Sequence, residues 1–241
     1  MTELRIGCSG FHYQDWKGSF YPSDLAPKKW FEYYYQVFNT VELNVTFYRL
    51  PYSRTFENWY NKTPPEFAFS IKGSRFVTHI KRLLDPALPL ESFFNSALQL
   101  KEKLKVVLWQ FPPGFTVNRE RLSNFLGLLY QYPNRNALEF RHKSWITDDV
   151  VALCKNFNVG LCMADWPKYI DELPVTADFV YIRRHGKEGS YATSYSIDEL
   201  RNDARRISNY LNAGKDVFIY FNNDYYGYAP KNARQLEELL K

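Results

Sequence analysis

The chain has 241 residues, of which 45% are hydrophobic and 24% charged, and carries a formal net charge of +5 at pH 7. This is an ordinary globular composition apart from its 19 Tyr, 19 Phe and 6 Trp, and the moderate positive balance permits an anionic ligand without indicating nucleic acid by itself. Cys8, Cys154 and Cys162 lack metal-ligand spacing and form no disulfide framework, and no apolar run is long enough for a signal peptide or a membrane span, so the expectation is a cytoplasmic protein with no membrane partner.

Strand-like and helix-like runs alternate along the whole chain. The expected strands are Arg5 to Ser9, Thr40 to Asn44, Phe67 to Lys72, Val106 to Gln110, Ala137 to Arg141, Gly160 to Asp165, Phe179 to Arg183 and Val217 to Asn222. Between them, helices are expected over Pro27 to Val37, Ser53 to Asn61, Leu90 to Lys103, Arg119 to Gln131, Asp148 to Asn156, Ile197 to Asn212 and Pro230 to Leu240. Ser196 with Glu199 reads as a capping box, and Pro27 and Pro230 suit a first turn that needs no N–H donor. About eight β-then-α units at this length predict an α/β, TIM-like (β/α)8 barrel in one domain spanning residues 1–241. Pro167 and Pro174 leave little room for a helix between strands six and seven, so the barrel is expected to be irregular there.

Strand residues alternate between faces, and this parity locates a site. With Leu138 and Phe140 under the helices, Glu139 and Arg141 point the other way. With Val41 and Leu43 outward, Thr40, Glu42 and Asn44 point in. By the same rule Ser9, Ser70, Lys72, Gln110, Asp165, Tyr181, Arg183, Tyr220 and Asn222 are inward, so every strand ends in an inward polar residue, at the end where such barrels carry their active sites. Cys8 faces outward, which argues against a nucleophilic thiol.

The predicted ring holds Glu42, Lys72, Glu139, Arg141, Asp165 and Arg183, and its nearly balanced charges also suit an inert ion-pair network. Glu42, Glu139, Asp165 and His185 are the candidate catalytic groups; Glu42 and Glu139, on strands two and five, are expected to face each other across the axis. Asn44, Tyr48, Lys72, Gln110, Arg141, Trp145, Arg183, Asn222 and Asn223 are the candidate ligand-binding residues, with arginine forks and Lys72 for a negative group and aromatics for stacking. The loop from Lys72 to Arg82 interleaves cations with Phe76, Val77 and Ile80, and the segment from Arg183 to Gly189 adds more positive charge. With four histidines in the chain, no cofactor is required; a single divalent metal on His185 with Glu42, Glu139 or Asp165 is the most the residues suggest.

Gly7-Cys8-Ser9-Gly10-Phe11, Thr40-Val41-Glu42-Leu43-Asn44 with Thr46-Phe47-Tyr48-Arg49, Gln110-Phe111-Pro112-Pro113, Glu139-Phe140-Arg141-His142 with Ser144-Trp145, Tyr181-Ile182-Arg183 with His185-Gly186, and Tyr220-Phe221-Asn222-Asn223 occur in this order. In this series the chain resembles the YecE-like family, a domain-of-unknown-function (DUF72) family of TIM-barrel-like proteins. The resemblance implies the barrel and transfers no agreed reaction. A remote similarity of such barrels to endonuclease-type barrels implies nucleic-acid binding, although the histidine set of metal-dependent endonucleases is missing here. The leading expectation is thus an enzyme, with hydrolysis as the candidate reaction class, that binds a small anionic or phosphate-bearing ligand at the barrel mouth. The alternative is a non-catalytic nucleic-acid-binding protein. The oligomeric state is left open.

Overall fold

The computed structural model describes residues 2–241. Eight parallel strands, β1 (Leu4–Ser9), β2 (Thr40–Leu43), β3 (Ala68–Lys72), β4 (Leu104–Gln110), β5 (Arg135–Glu139), β6 (Gly160–Ala164), β7 (Phe179–Arg184) and β8 (Asp216–Phe221), close into a barrel in sequence order. The helices are α1 (Trp30–Val37), α2 (Val45–Tyr48), α3 (Ser53–Lys62), α4 (Ala87–Ala97), α5 (Arg119–Leu129), α6 (Asp148–Asn156), α7 (Ile197–Asn212) and α8 (Tyr228–Leu239). The capping box is present, with Ser196 accepting from the Glu199 backbone and Glu199 reaching back. As the prolines imply, a single 3-10 turn at Lys168–Ile170 stands between β6 and β7 in place of a helix.

Several boundaries differ from expectation for local reasons. Asn44 is not the last residue of the second strand; its αR backbone starts the four-residue helix α2. The fifth strand begins and ends two residues early, because the polar Arg135 and Asn136 pair with Val106 and Val107 of β4, so Arg141 lies beyond the strand end. The helix expected over Leu90 to Lys103 gives way at Ala97 to a 3-10 segment in which Lys101 takes a positive φ of 49°.

The chain's contacts form two compact units. In the first, residues 1–42, 163–172 and 178–241, β1 pairs with β2 and β8, and β8 with β7. Gly7 is required there, since a Cβ would stand 2.6 Å from the Thr40 carbonyl oxygen and 2.9 Å from its methyl group. The Tyr34 hydroxyl ties α1 to both strands, accepting from the Cys8 N–H and donating to the Thr40 carbonyl, each at 2.9 Å. Trp16, Tyr21, Trp30, Tyr34 and Phe38 are fully buried beside them, with Tyr21 and Trp30 stacked at 5.0 Å. That density of rings accounts for part of the aromatic excess.

In the second unit, residues 43–162 and 173–177, β3 to β6 pair consecutively. Trp109 is its buried pivot: the indole donates to Asn136 at 2.9 Å, and its ring lies so close to Gly73 that a Cβ there would stand 2.1 Å away.

Candidate active site

In the first unit the ends of β1, β2 and β7 converge on one carboxylate. Glu42, with no solvent exposure, accepts at Oε1 from the Ser9 hydroxyl and from Arg183 Nε at 3.2 Å and Nη2 at 2.9 Å, and at Oε2 from the Tyr181 hydroxyl at 2.7 Å. Alternation of Tyr181 and Arg183 along β7 aims both at it. A buried carboxylate is tolerated because charge and hydrogen bonds replace water.

From Arg183 the network continues outward along β7. Arg183 Nη1 lies 3.0 Å from His185 Nε2, and because a guanidinium only donates, Nε2 must be the bare acceptor nitrogen. The ring proton therefore sits on Nδ1, 3.3 Å from Asp165 Oδ1. Asp165 also accepts from the His185 backbone N–H at 2.8 Å and from the Tyr195 hydroxyl. Burial pushes the Asp165 carboxyl up, but the His185 hydrogen bond, the Arg184 charge and the Tyr195 hydroxyl outweigh it and hold the group below its ordinary value.

Arg184, one residue further on, faces the other way. It is clamped by Asp203 of α7 and by Asp171 at 3.1 Å, so it anchors the outer layer and reaches this cluster only through its charge on Asp165. Around the strand ends the loops present Trp166, Tyr191, Tyr225 and Tyr226 to solvent, with Tyr191 and Tyr226 in the left-handed backbone region at φ 59° and 60°. Tyr225 and Tyr191 are joined by a backbone hydrogen bond of 3.2 Å. Non-glycine residues held in this region mark segments whose geometry is fixed by their surroundings.

The second unit carries its own ionic cluster. Buried Glu139 at the end of β5 accepts from Gln110 at 2.8 Å and from Arg141 Nε at 2.5 Å. Lys72 at the end of β3 lies 4.2 Å above the Phe47 ring, which meets His79 edge-on at 4.9 Å. Burial, then the charges of Lys72 and Arg75, depress His79 to about 4 against a weaker opposing pull from Glu139. Trp145 is fully buried, stacked on Phe140 at 5.1 Å with its indole donating to the Phe115 carbonyl, and its loop is pinned by His142 bonded to Ser144 at 2.8 Å.

A family model described as "Protein of unknown function DUF72" matches residues 5–241. The chain belongs to the DUF72 family. It is 28% identical over 269 residues to the UPF0759 protein YunF of Bacillus subtilis (strain 168), covering 98% of this chain and 94% of that one. A crystal structure of a DUF72 family protein from Thermotoga maritima MSB8 superposes with a TM-score of 0.86 at 34% identity, covering 99% of each chain. Another, from Enterococcus faecalis V583, gives 0.82 at 20% identity over 98% of this chain and 95% of that one, a likeness of fold.

Within the DUF72 chain, Glu42, Asp165, Arg183 and His185 come together as one hydrogen-bonded series in the first unit, and Gln110, Glu139 and Arg141 as another in the second. Asn223 stands apart: its amide donates to the Thr193 carbonyl at 2.8 Å and to Asn232 at 2.9 Å, bracing the loop after β7. Asn222 is partly exposed at the end of β8, and Tyr48 is 70% exposed on α2. Trp145 belongs to the packed interior of its loop, so its ring is not presented to a ligand. Among the described residues no three His, Cys, Asp or Glu side chains assemble as a metal cluster, and no helix is long and apolar enough to cross a membrane. Sequence reasoning missed Tyr195, which lies in the loop just before α7, and Asp224, in the loop after β8, because neither loop has a periodicity to read.

Proposed function

We propose that this chain is an acid–base enzyme, hydrolytic in type, that acts on a small or oligomeric ligand with an anionic part. The observation that carries the reading is the series Ser9, Tyr181, Glu42, Arg183, His185 and Asp165, in which ionisable and hydroxyl groups of one unit, all buried but the partly exposed Asp165, are hydrogen-bonded to one another. Such a concentration is costly to bury as mere filling, and it stands at the strand end where barrel enzymes do their chemistry. Glu42 is the fixed negative charge of the site. Arg183 is paired with it and keeps its remaining Nη1 on His185.

The reading is tested by incubating the purified protein with 4-nitrophenyl phosphate mono- and diesters and 4-nitrophenyl glycosides between pH 5 and 8, beside Glu42→Gln. Turnover that falls on the order of 10²-fold or more in the variant is the expected outcome, given the size of acid–base and electrostatic contributions. Turnover equal in both proteins, or none in either, overturns it.

Nucleic-acid binding is the second reading, and a different observation favours it. The segment after β3 presents Phe76 and Ile80 to solvent beside Arg75, Lys81 and Arg82, with Tyr48 and Tyr52 exposed in the same unit. Stacking rings among cations suit single strands. Tryptophan fluorescence titrated with a short single-stranded oligonucleotide should show affinity that falls steeply with salt; no binding at low salt removes this reading.

A further inference from the structure

Asp224 lies beyond the end of β8, in the unit that holds Glu42, and takes no part in the series just described. Its loop is fixed: the Trp16 indole donates to the Asp224 carbonyl at 2.9 Å, and the Gly227 N–H does so at 3.4 Å. The Tyr13 hydroxyl acts on its side chain, while Oδ1, shut off from solvent, has no hydrogen-bond partner among the described residues.

Counting protons places one on this carboxyl. Tyr13 has a single hydroxyl proton, and the Ser9 carbonyl, which can only accept, lies 2.6 Å from the Tyr13 oxygen. That proton is committed to Ser9, so Tyr13 does not donate to Asp224 in this arrangement, and no other donor among the described residues reaches Oδ1. An ionised carboxylate would in addition leave Oδ1 charged and buried without a donor.

We propose that Asp224 is the proton donor of the acid–base site. It is a carboxylic acid at neutral pH that gives its proton to the departing oxygen of the bond cleaved, while Tyr13 turns its proton from the Ser9 carbonyl to the carboxylate left behind. The scissile bond breaks with its electron pair on the departing oxygen, which takes the Asp224 proton. Water adds at the other atom and returns a proton to Asp224, so acid and enzyme are restored. The groups that act on the carboxyl are Tyr13 after β1, Glu42 on β2 and Arg183 on β7. Burial, helped by Glu42, pushes Asp224 up to about 8 against the pull of Tyr13 and Arg183, in keeping with the proton count. The inference rests on the acid–base reading above.

Two measurements decide it. In protein labelled with 13C at the aspartate carboxyl, one resonance, absent from Asp224→Asn, should stay in the protonated position through pH 7, and Tyr13→Phe should move its midpoint upward by removing the donor that holds the carboxylate. A carboxylate signal for Asp224 across pH 5 to 7 overturns the proposal. On a substrate found in the panel, Asp224→Asn should lose ~10²-fold or more of turnover with a 4-methylumbelliferyl leaving group and little with 2,4-dinitrophenyl, which departs without a proton. Equal loss with both leaving groups, or none, overturns the proton-donor role while wild-type turnover keeps the acid–base reading. Wild type inert toward every substrate overturns both.

Discussion

Replacing Glu42 by Gln tests whether the ion pair at the centre of the first unit bears on stability as its geometry requires. The substitution keeps the shape and removes the charge. Arg183, 2% exposed, then has no carboxylate where it now has two contacts on one oxygen at 2.9 and 3.2 Å, and either Arg183 or Tyr181 must face an amide N–H. Breaking a buried pair by removing one partner costs roughly 3–5 kcal/mol. For a chain of this length, at about 2–4 °C per kcal/mol, the melting temperature should fall by roughly 6–20 °C.

Thermal unfolding followed by circular dichroism gives the first number, and urea unfolding gives the free energy independently. Arg183→Met should cost a comparable amount by stranding Glu42. The double variant should lose less than the sum of the two, with a coupling on the order of 1–3 kcal/mol, because neither charge is then left alone. A Glu42→Gln loss below about 1 kcal/mol, the level of a solvent-exposed pair, would refute the reasoning and return the cluster to ordinary surface electrostatics.

Asp224 gives a pH signature. Its proton is held in the folded chain up to about 8 against an ordinary value near 3.8, so the stability it contributes is complete below pH 4 and is lost as pH rises toward 8. The stability of wild type minus that of Asp224→Asn should therefore fall with a slope of at most about 1.4 kcal/mol per pH unit over that window; a flat difference contradicts it. His79 has the opposite sign: depressed to about 4, it contributes stability above about pH 6.5 that is lost as pH falls toward 4, and His79→Asn should remove that acid-limb slope. The His79 ring resonance itself should titrate near 4 and move upward on Lys72→Met, which an unshifted resonance would disprove. Gly73→Ala drives a methyl into the Trp109 ring and should cost about 1–3 kcal/mol with a changed tryptophan emission; unaltered melting would mean that the ring has room to move.

The barrel was legible because its causes are local. Alternation within strands and the 3.6-residue spacing of helices are written residue by residue, and parity alone aimed Glu42, Tyr181 and Arg183 at one another from positions 139 and 141 residues apart. The strand ends were less legible where pairing overrode polarity: Arg135 and Asn136 read as loop but lie in β5 because β4 offers them partners. Roles were the least legible. Arginines expected to grip a ligand's anion are taken by carboxylates: Arg141 by Glu139, two residues away, and Arg183 by Glu42, a pairing that follows from which strand ends meet, a fact of the closed sheet that no window of sequence contains.

What geometry adds beyond the residue list is the location of protons. Two neighbours that cannot change their nature fix it: the Arg183 guanidinium, which only donates, and the Ser9 carbonyl, which only accepts. From the first follows the Nδ1–H form of His185 and hence its hydrogen bond to Asp165; from the second follows the orientation of Tyr13 and hence the proton on Asp224. Ser9 joins the two lines, since its side chain donates to Glu42 while its backbone oxygen fixes Tyr13. The site thus holds an ionised carboxylate and a protonated one within reach of each other's charge, a division of states that two identical environments could not produce and that acid–base chemistry at neutral pH requires.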